Sequence, residues 1–262
     1  MDRLYQLYAM LFARPIFYRF NRALFHFALR GIGVLNSQTA ALQGETALLE
    51  RLLRKAPPGA AALDVGANEG NYSEVILRLA PQLELHAFEP HPETFARLER
   101  RLRTRGVKCH NMALGAEEAD GQPFDYLEGG GTTHATLQSG VIERIHHSVS
   151  QKRTIRIGRL DHFLRKAGIN KVFLLKIDVE GSEADVLRGL GKSLGDGVTI
   201  EYIQIEFNEM NVISRVFLED LAALLPGYRA YRVLPRGALL DITDEAPVMR
   251  EVFAFHNILF SR

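Results

Sequence analysis

The sequence LDVGANEGNY, at residues 63–72, decides the fold. It ends a short apolar run (residues 60–65) in a glycine-rich turn, and the turn leads into a helical pattern with one apolar face. Gly66 and Gly70 let the backbone turn sharply and approach a ligand, because neither has a Cβ. The next apolar run ends in Glu89. This order predicts a nucleotide-like cofactor site at the carboxyl ends of parallel strands.

The spacing of the glycines favours one class of cofactor. A dinucleotide fingerprint reads G-x-G-x-x-G, and the turn from Gly66 to Gly70 has one glycine fewer. Asp64, just before the turn, would also repel a diphosphate. S-adenosylmethionine (SAM) carries no phosphate and has a positive sulfonium centre, so it suits an acidic turn. Glu89 is then placed to accept hydrogen bonds from the ribose hydroxyls. An NAD-dependent oxidoreductase is the less favoured alternative.

The composition is that of an ordinary globular protein. The chain has 262 residues, of which 47% are hydrophobic and 24% are charged, and its formal net charge is +1. That charge gives no electrostatic argument for a nucleic-acid partner. Cys109 is the single cysteine, so no intrachain disulfide can form and a reducing cytoplasm is the expected location.

Residues 1–44 are predicted to form a helical extension. Residues 1–35 hold eight of the 23 aromatic residues, and five arginines against one acid. Two amphipathic helical patterns are separated by Pro15. Within residues 1–35, the longest uncharged stretch, residues 4–13, is about half as long as a membrane span requires. Three alternatives stay open for residues 1–35: peripheral contact with a membrane, packing on the main domain, and a homodimer contact.

Strands alternate with helices through residues 45–262, which predicts an α/β domain with a mostly parallel sheet. The last predicted strand follows another strand without a clear helix between them, which favours an antiparallel addition. Residues 116–158 are less regular. A long insertion of this kind is typical of a functional loop or lid.

Acidic residues follow two of the predicted strands: Asp178, Glu180 and Glu183 come after the first, and Glu206 after the second. Ligands bind at the carboxyl ends of strands in open α/β sheets, so these acids are expected to surround the cleft of the glycine turn. Lys176 lies two residues before Asp178 and is therefore expected on the same sheet face.

Such a set of residues suits methyl transfer to an oxygen. The acceptor must be held in line with the methyl group, and its proton must be taken up. Asp178, with Glu180 or Glu206, could accept the proton, or Asp178 and Glu206 could hold a divalent ion such as Mg²⁺ that acidifies the hydroxyl. His134, in a glycine- and threonine-rich loop, is another candidate base. Helix capping and surface solvation by the acids stay open as well.

The chain carries several stretches found together in one protein family: DVGANEGNYS at 64–73, FEP at 88–90, NMALG at 111–115, LD at 160–161 and LKIDVEGSE at 175–183. With these it resembles the FkbM family of SAM-dependent methyltransferases. The resemblance covers about residues 60–260. It implies the Rossmann-like class I methyltransferase fold, with a seven-stranded sheet whose last strand is antiparallel. It also implies O-methylation of a sugar, a glycolipid or a secondary metabolite.

The resemblance also implies roles for single residues. Those that would line the methionine part of SAM are Asp64, Gly66, Asn68 and Gly70. Glu89 would hold the ribose, and the stretch from Asn111 to Ala113 would border the adenine. Asp178 and Glu180 would face the transferred methyl group or a metal. The expected partner is a small-molecule or glycan acceptor. A non-catalytic module that binds SAM or a membrane is the alternative from another functional class.

Overall fold

The structure is a computed structural model that describes residues 2–36, 39–127, 150–191, 193–194 and 196–262. The helices are α1 (Asp2–Phe12), α2 (Tyr18–Gly31), α3 (Ala40–Gln43), α4 (Glu45–Leu53), α5 (Asn71–Leu79), α6 (Pro92–Leu102), α7 (Leu160–Ala167), α8 (Glu183–Arg188), α9 (Met210–Ser214), α10 (Leu218–Ala223) and α11 (Pro247–Arg250). The strands are β1 (Ala61–Val65), β2 (Glu84–Phe88), β3 (Lys108–His110), β4 (Ala113–Leu114), β5 (Ala119–Leu127), β6 (Ser150–Gly158), β7 (Lys171–Ile177), β8 (Thr199–Phe207), β9 (Arg229–Val233), β10 (Leu239–Asp241) and β11 (His256–Ser261).

The main sheet has the strand order β10-β9-β11-β8-β7-β1-β2-β3. Neighbours from β8 to β3 pair in parallel, and β11 pairs antiparallel with both β8 and β9. The predicted mostly parallel sheet with an antiparallel last strand is confirmed. The described residues give this sheet eight strands rather than seven, because β10 adds to β9 at the edge. Three residues are too few for an alternating pattern to reveal such a strand in the sequence.

The central strands are apolar because both of their faces are covered. Every residue of β1 is buried, and in β7 only Lys171 is exposed. One face of the sheet packs a core that includes Leu63, Ile177 and Ile205. The other face packs a second core against α4, α5 and α6. Burial on both faces explains the continuous apolar runs of the sequence.

Part of the predicted insertion, residues 116–158, forms strands. β5 and β6 pair antiparallel, and β4 pairs with β6 in parallel, so that a second, three-stranded sheet results. β5 has the sequence ADGQPFDYL, whose glycine, proline and aspartates are depleted in strands. Pairing with β6 overrides that local preference. Residues 128–149 of the predicted lid lie outside the described residues.

Helices α1 and α2 form a pair, called here the N-terminal hairpin (residues 2–31). Tyr8 OH donates a hydrogen bond to Asn21 Oδ1 at 2.5 Å, and the Phe12 ring stacks on Tyr8. Apart from Leu29, the hairpin buries no residue. No helix within the described ranges has the length and apolar character needed to cross a membrane. Packing on the main domain has little support in the described structure, and the choice among the three alternatives for residues 1–35 stays a prediction.

Candidate active site

The glycine turn is fixed by close backbone contacts. The N–H groups of Gly66 and Ala67 donate to Phe88 O at 3.0 and 2.9 Å, which ties the turn to the end of β2. Gly66 has φ +85°, and a Cβ there would lie 1.8 Å from Asp178 O. Gly70 has φ +86°, and a Cβ there would lie 2.5 Å from a Leu102 methyl group. Both positions therefore require glycine.

Glu89 is buried behind this turn. Its carboxylate accepts hydrogen bonds from Asn68 N–H at 3.0 Å and from His91 N–H at 2.8 Å. Burial raises the pKa of Glu89 to about 7, against the lowering effect of these two bonds. Glu89 thus holds the turn, and its role toward a ribose stays a prediction. Asn68 itself adopts the left-handed region with φ +49°.

Asn111 and Ala113, which are predicted to border the adenine, contact other parts of the protein. Asn111 Nδ2 donates to Glu89 O at 2.9 Å and to Pro90 O at 3.0 Å. Asn111 therefore fixes the backbone where β2 ends. Ala113 is buried in β4, within the second sheet. Their predicted roles toward a cofactor stay predictions.

Three buried polar side chains stand in one row across the centre of the sheet. Asp64 of β1 is in register with Lys176 of β7, and Lys176 is in register with Gln204 of β8. The three are between 0% and 3% exposed. Residues in register on neighbouring strands share one sheet face, so these polar groups meet under α4 and α5.

Lys176 is the cation at the centre of this row. Its Nζ lies 3.5 Å from Asp178 Oδ2 and 3.8 Å from Glu45 Oε1. It also lies 5.7 Å from the centre of the Tyr72 ring. Burial alone would lower the pKa of Lys176, but the surrounding carboxylates raise it above its usual value. The lysine therefore stays charged and compensates acids that would otherwise repel each other.

A cavity of about 500 Å³ opens over the row. Its walls include Asp64, Gly66, Asn68, Lys176, Asp178 and Glu206 from the sequence prediction, and Glu45, Tyr72 and Asn257 in addition. The described lining does not include Gly70, Glu89, Glu180, Asn111 or Ala113. With four carboxylates and one lysine in its walls, the cavity suits a cationic ligand.

The additional polar residues are linked by hydrogen bonds. Tyr72 OH donates to Gln204 Oε1 at 2.8 Å, and Gln204 Nε2 donates to Glu45 Oε1 at 2.6 Å and to Asn257 Oδ1 at 3.2 Å. Sequence reasoning missed these roles. The available signal was a glutamine and an asparagine within otherwise apolar strands, since a buried polar side chain needs a partner.

Two acids of the cavity hold their protons more tightly than usual. Burial raises the pKa of Asp64 to about 6, although a 2.6 Å hydrogen bond from Ser73 and the charge of Lys176 oppose the change. Burial and the charge of Asp178 raise the pKa of Glu206 well above its usual value. A carboxylate with a raised pKa is a stronger base once it is ionised.

The loop after β7 is held by Glu183. Its Oε1 accepts hydrogen bonds from Val179 N–H at 3.3 Å and from Gly181 N–H at 3.0 Å. Glu183 is buried, and burial raises its pKa to about 7. Glu180, in the same loop, adopts φ +51°. Glu183 thus has a structural role, while Asp178 faces the cavity.

Two predicted features lack support at the site. His134 lies outside the described residues. Among the described residues, no group of three His, Cys, Asp or Glu could hold a metal ion, so the predicted Mg²⁺ site at Asp178 and Glu206 is not supported. The Lys176 ammonium already supplies a cation beside Asp178.

The chain is similar in sequence to known methyltransferases. Residues 64–232 match the family described as the Methyltransferase FkbM domain. The chain is similar to Methyltransferase 1 of Beauveria bassiana, with 32% identity over 55% of this chain and 65% of that protein. It is similar to the 2-O-methyltransferase NoeI of Sinorhizobium fredii, with 26% identity over 73% of this chain and 80% of that protein. It is also similar to the hexuronic acid methyltransferase AglP of Haloferax volcanii, with 27% identity over 58% of this chain and 59% of that protein.

Proposed function

Because the chain belongs to the FkbM methyltransferase family and is a SAM-dependent methyltransferase, we propose that it methylates a hydroxyl oxygen of a saccharide or of a small molecule that contains one. The observation that carries the proposal is the cavity in which Asp178 and Glu206 surround the buried Lys176 beside the glycine turn. The names of the two relatives that methylate a 2-O position and a hexuronic acid support the acceptor class.

The charges on the walls of the cavity suit SAM. SAM carries a positive sulfonium and a positive ammonium group, and the walls hold four carboxylates against one lysine. The same charge disfavours the diphosphate of a dinucleotide. When bound, SAM supplies an electrophilic methyl group on sulfur. Of the residues expected to hold it, Asp64, Gly66 and Asn68 line the cavity. Gly70 for the methionine part, Glu89 for the ribose, and Asn111 and Ala113 near the adenine lie outside that lining, and their roles toward SAM stay predictions.

The remaining side chains of the cavity are assigned to the hydroxyl group that receives the methyl group. Asp178 or Glu206 takes the proton from the hydroxyl as its oxygen attacks the methyl carbon. Asn208 Nδ2 donates to Glu206 Oε1 at 2.9 Å and thereby orients that carboxylate. Lys176 holds the Asp178 carboxylate in place through their 3.5 Å contact. Glu180 and His134 stay as further candidates for proton transfer.

The test is transfer of a labelled methyl group from SAM to a panel of saccharides, with and without free 2-hydroxyl groups. Asp178→Asn should leave SAM binding nearly intact and lower turnover by about 10²–10⁴-fold. Asp185→Asn is the matched control, because Asp185 lies seven residues along and pairs with Arg188 at the surface. Full turnover by Asp178→Asn would make Asp178 structural.

Binding and transfer measurements also test the two alternatives, a non-catalytic module and an oxidoreductase. Binding of SAM without transfer to any acceptor would favour a non-catalytic module. Binding of NAD without binding of SAM would revive the oxidoreductase. The division into residues 1–44 and 45–262, the homodimer and the cytoplasmic location stay predictions.

A further inference from the structure

The N-terminal hairpin exposes an unusual number of large apolar side chains. Twelve are exposed within residues 2–31: Leu4, Tyr5, Leu7, Tyr8, Met10, Leu11, Ile16, Tyr18, Phe20, Leu24, Phe25 and Phe27. Ile16 is 83% exposed and Phe27 is 73% exposed. In the rest of the described chain, the exposed large apolar side chains are only Leu42, Val212, Phe217, Val248 and Met249. A concentration of exposed apolar side chains in one segment marks an interaction site.

The exposed residues are arranged as on a surface-bound helix. Phe20, Leu24 and Phe27 recur at helical spacing on α2, and Leu4 and Leu11 recur on α1. The two helices meet through Phe12, whose ring lies 5.2 Å from the Phe17 ring and 6.0 Å from the Phe20 ring. That seam joins the helices to each other and leaves their apolar faces uncovered.

The positive charge of the hairpin favours an anionic partner. Residues 1–35 carry five arginines and one acid, whereas the whole chain is nearly neutral. Arg14, Arg19 and Arg22 are exposed beside the apolar residues. Aromatic and aliphatic side chains flanked by arginines are the signature of a helix that lies in the interface of an anionic membrane.

We propose that the N-terminal hairpin docks on an anionic lipid surface, with its apolar side chains among the acyl chains and its arginines at the headgroups. A second copy of this chain is the competing occupant. Contact between two hairpins would bring ten arginines together, which opposes it electrostatically.

The hairpin is joined to the wall of the candidate active site. Val34 is buried, and Leu35 N–H donates to Phe255 O at 2.8 Å. Phe255 and Asn257 line the cavity. Docking would therefore hold the cavity at the lipid surface. This consequence is independent of which hydroxyl the enzyme methylates.

The experiment is cosedimentation of the full chain with vesicles of pure phosphatidylcholine and with vesicles of equimolar phosphatidylcholine and phosphatidylglycerol. Binding to the anionic vesicles is expected, with loss at high salt. The double variants Leu24→Glu/Phe27→Glu and Arg19→Glu/Arg22→Glu should each weaken that binding by about tenfold or more. All four positions are exposed, so the fold should tolerate the changes.

Val248→Glu is the matched control for the apolar variant, because Val248 is 81% exposed on the main domain. Arg100→Glu, in the last turn of α6, is the control for the charge variant. Both should bind vesicles as the wild type does. Circular dichroism and SAM titration of every variant separate this question from the proposed function.

Three results would overturn the proposal. The first is failure of the wild type to bind anionic vesicles, and the second is binding by the hairpin variants that is as strong as that of the wild type. The third is a dimer, detected without lipid by analytical ultracentrifugation and abolished by Leu24→Glu/Phe27→Glu, which would assign the surface to a second copy.

Discussion

Gly66 lies so close to Asp178 that a Cβ on the glycine would fall 1.8 Å from the Asp178 carbonyl oxygen. The Asp178 N–H also donates to Val65 O at 2.9 Å. The turn after β1 and the loop after β7 are therefore one backbone assembly. The assigned cofactor turn and the assigned proton acceptor cannot move independently.

Gly66→Ala is expected to destabilise the fold by about 3 kcal/mol or more, since it adds a backbone clash to the strain of positive φ. Gly59→Ala is the matched control. Gly59 has φ +77° with no atom within 4 Å of its Cβ position, so only the strain of about 1 kcal/mol remains. Chemical denaturation of both variants measures the difference. Equal losses of stability would show that the close approach is relaxed in solution.

Glu183→Gln is expected to flatten the pH dependence of stability. In the folded state the pKa of Glu183 is raised from 4.5 to about 7, so the folded chain binds this proton more tightly than the unfolded chain does. The resulting stabilisation is present below pH 4.5 and is lost as the pH rises to about 7. It amounts to roughly 3 kcal/mol.

Thermal melts of the SAM-free protein between these pH values give the slope. Glu183→Gln loses the 3.5 Å bond from Asn211 at every pH, so the slope and not the absolute stability is the readout. Glu50→Gln, at an exposed position of α4, is the control and should retain the wild-type slope. A wild-type slope in Glu183→Gln would mean that Glu183 does not titrate in this range.

Lys176→Met is expected to shift the acid limb of the pH–rate profile to higher pH. The charge of Lys176 lowers the pKa of Glu206. Without that charge, the pKa of Glu206 is higher still, so Glu206 loses its proton only at a higher pH. Turnover as a function of pH measures the shift. Lys171→Met, at the exposed start of the same strand, should leave the limb in place. An unmoved limb in Lys176→Met would exclude Glu206 as the titrating base.

Glu89→Gln is expected to weaken SAM binding by about 1–3 kcal/mol, because the ribose hydroxyls lose a charged acceptor. Glutamine retains one oxygen for the backbone N–H of Asn68 or His91, so the turn is disturbed less than by alanine. Calorimetric titration with SAM gives the affinity. Glu93→Gln, at an exposed position early in α6, is the control. Unchanged affinity in Glu89→Gln would remove Glu89 from the ribose role.

The sequence by itself determined the strands, the turn and the position of the acids. Apart from Asp64 and Lys176, residues 60–65 and 172–177 are apolar because both sheet faces are covered, and this local pattern is readable without coordinates. Gly66, Glu89 and Asp178 each follow a strand, so a parallel sheet necessarily brings them to one edge. The prediction that Asp64, Gly66 and Lys176 meet Asp178 and Glu206 needed no more than this.

Only the tertiary structure decided which partners meet across long stretches of chain. Glu45 and Gln204 are 159 residues apart and bond at 2.6 Å, and no local pattern encodes such a pair. Strand β10 forms because its three residues pair with β9 at the edge of the main sheet. The same amphipathic pattern of residues 2–31 is compatible with packing on the domain or with exposure, since hydrophobic periodicity records that a face is apolar and not what covers it.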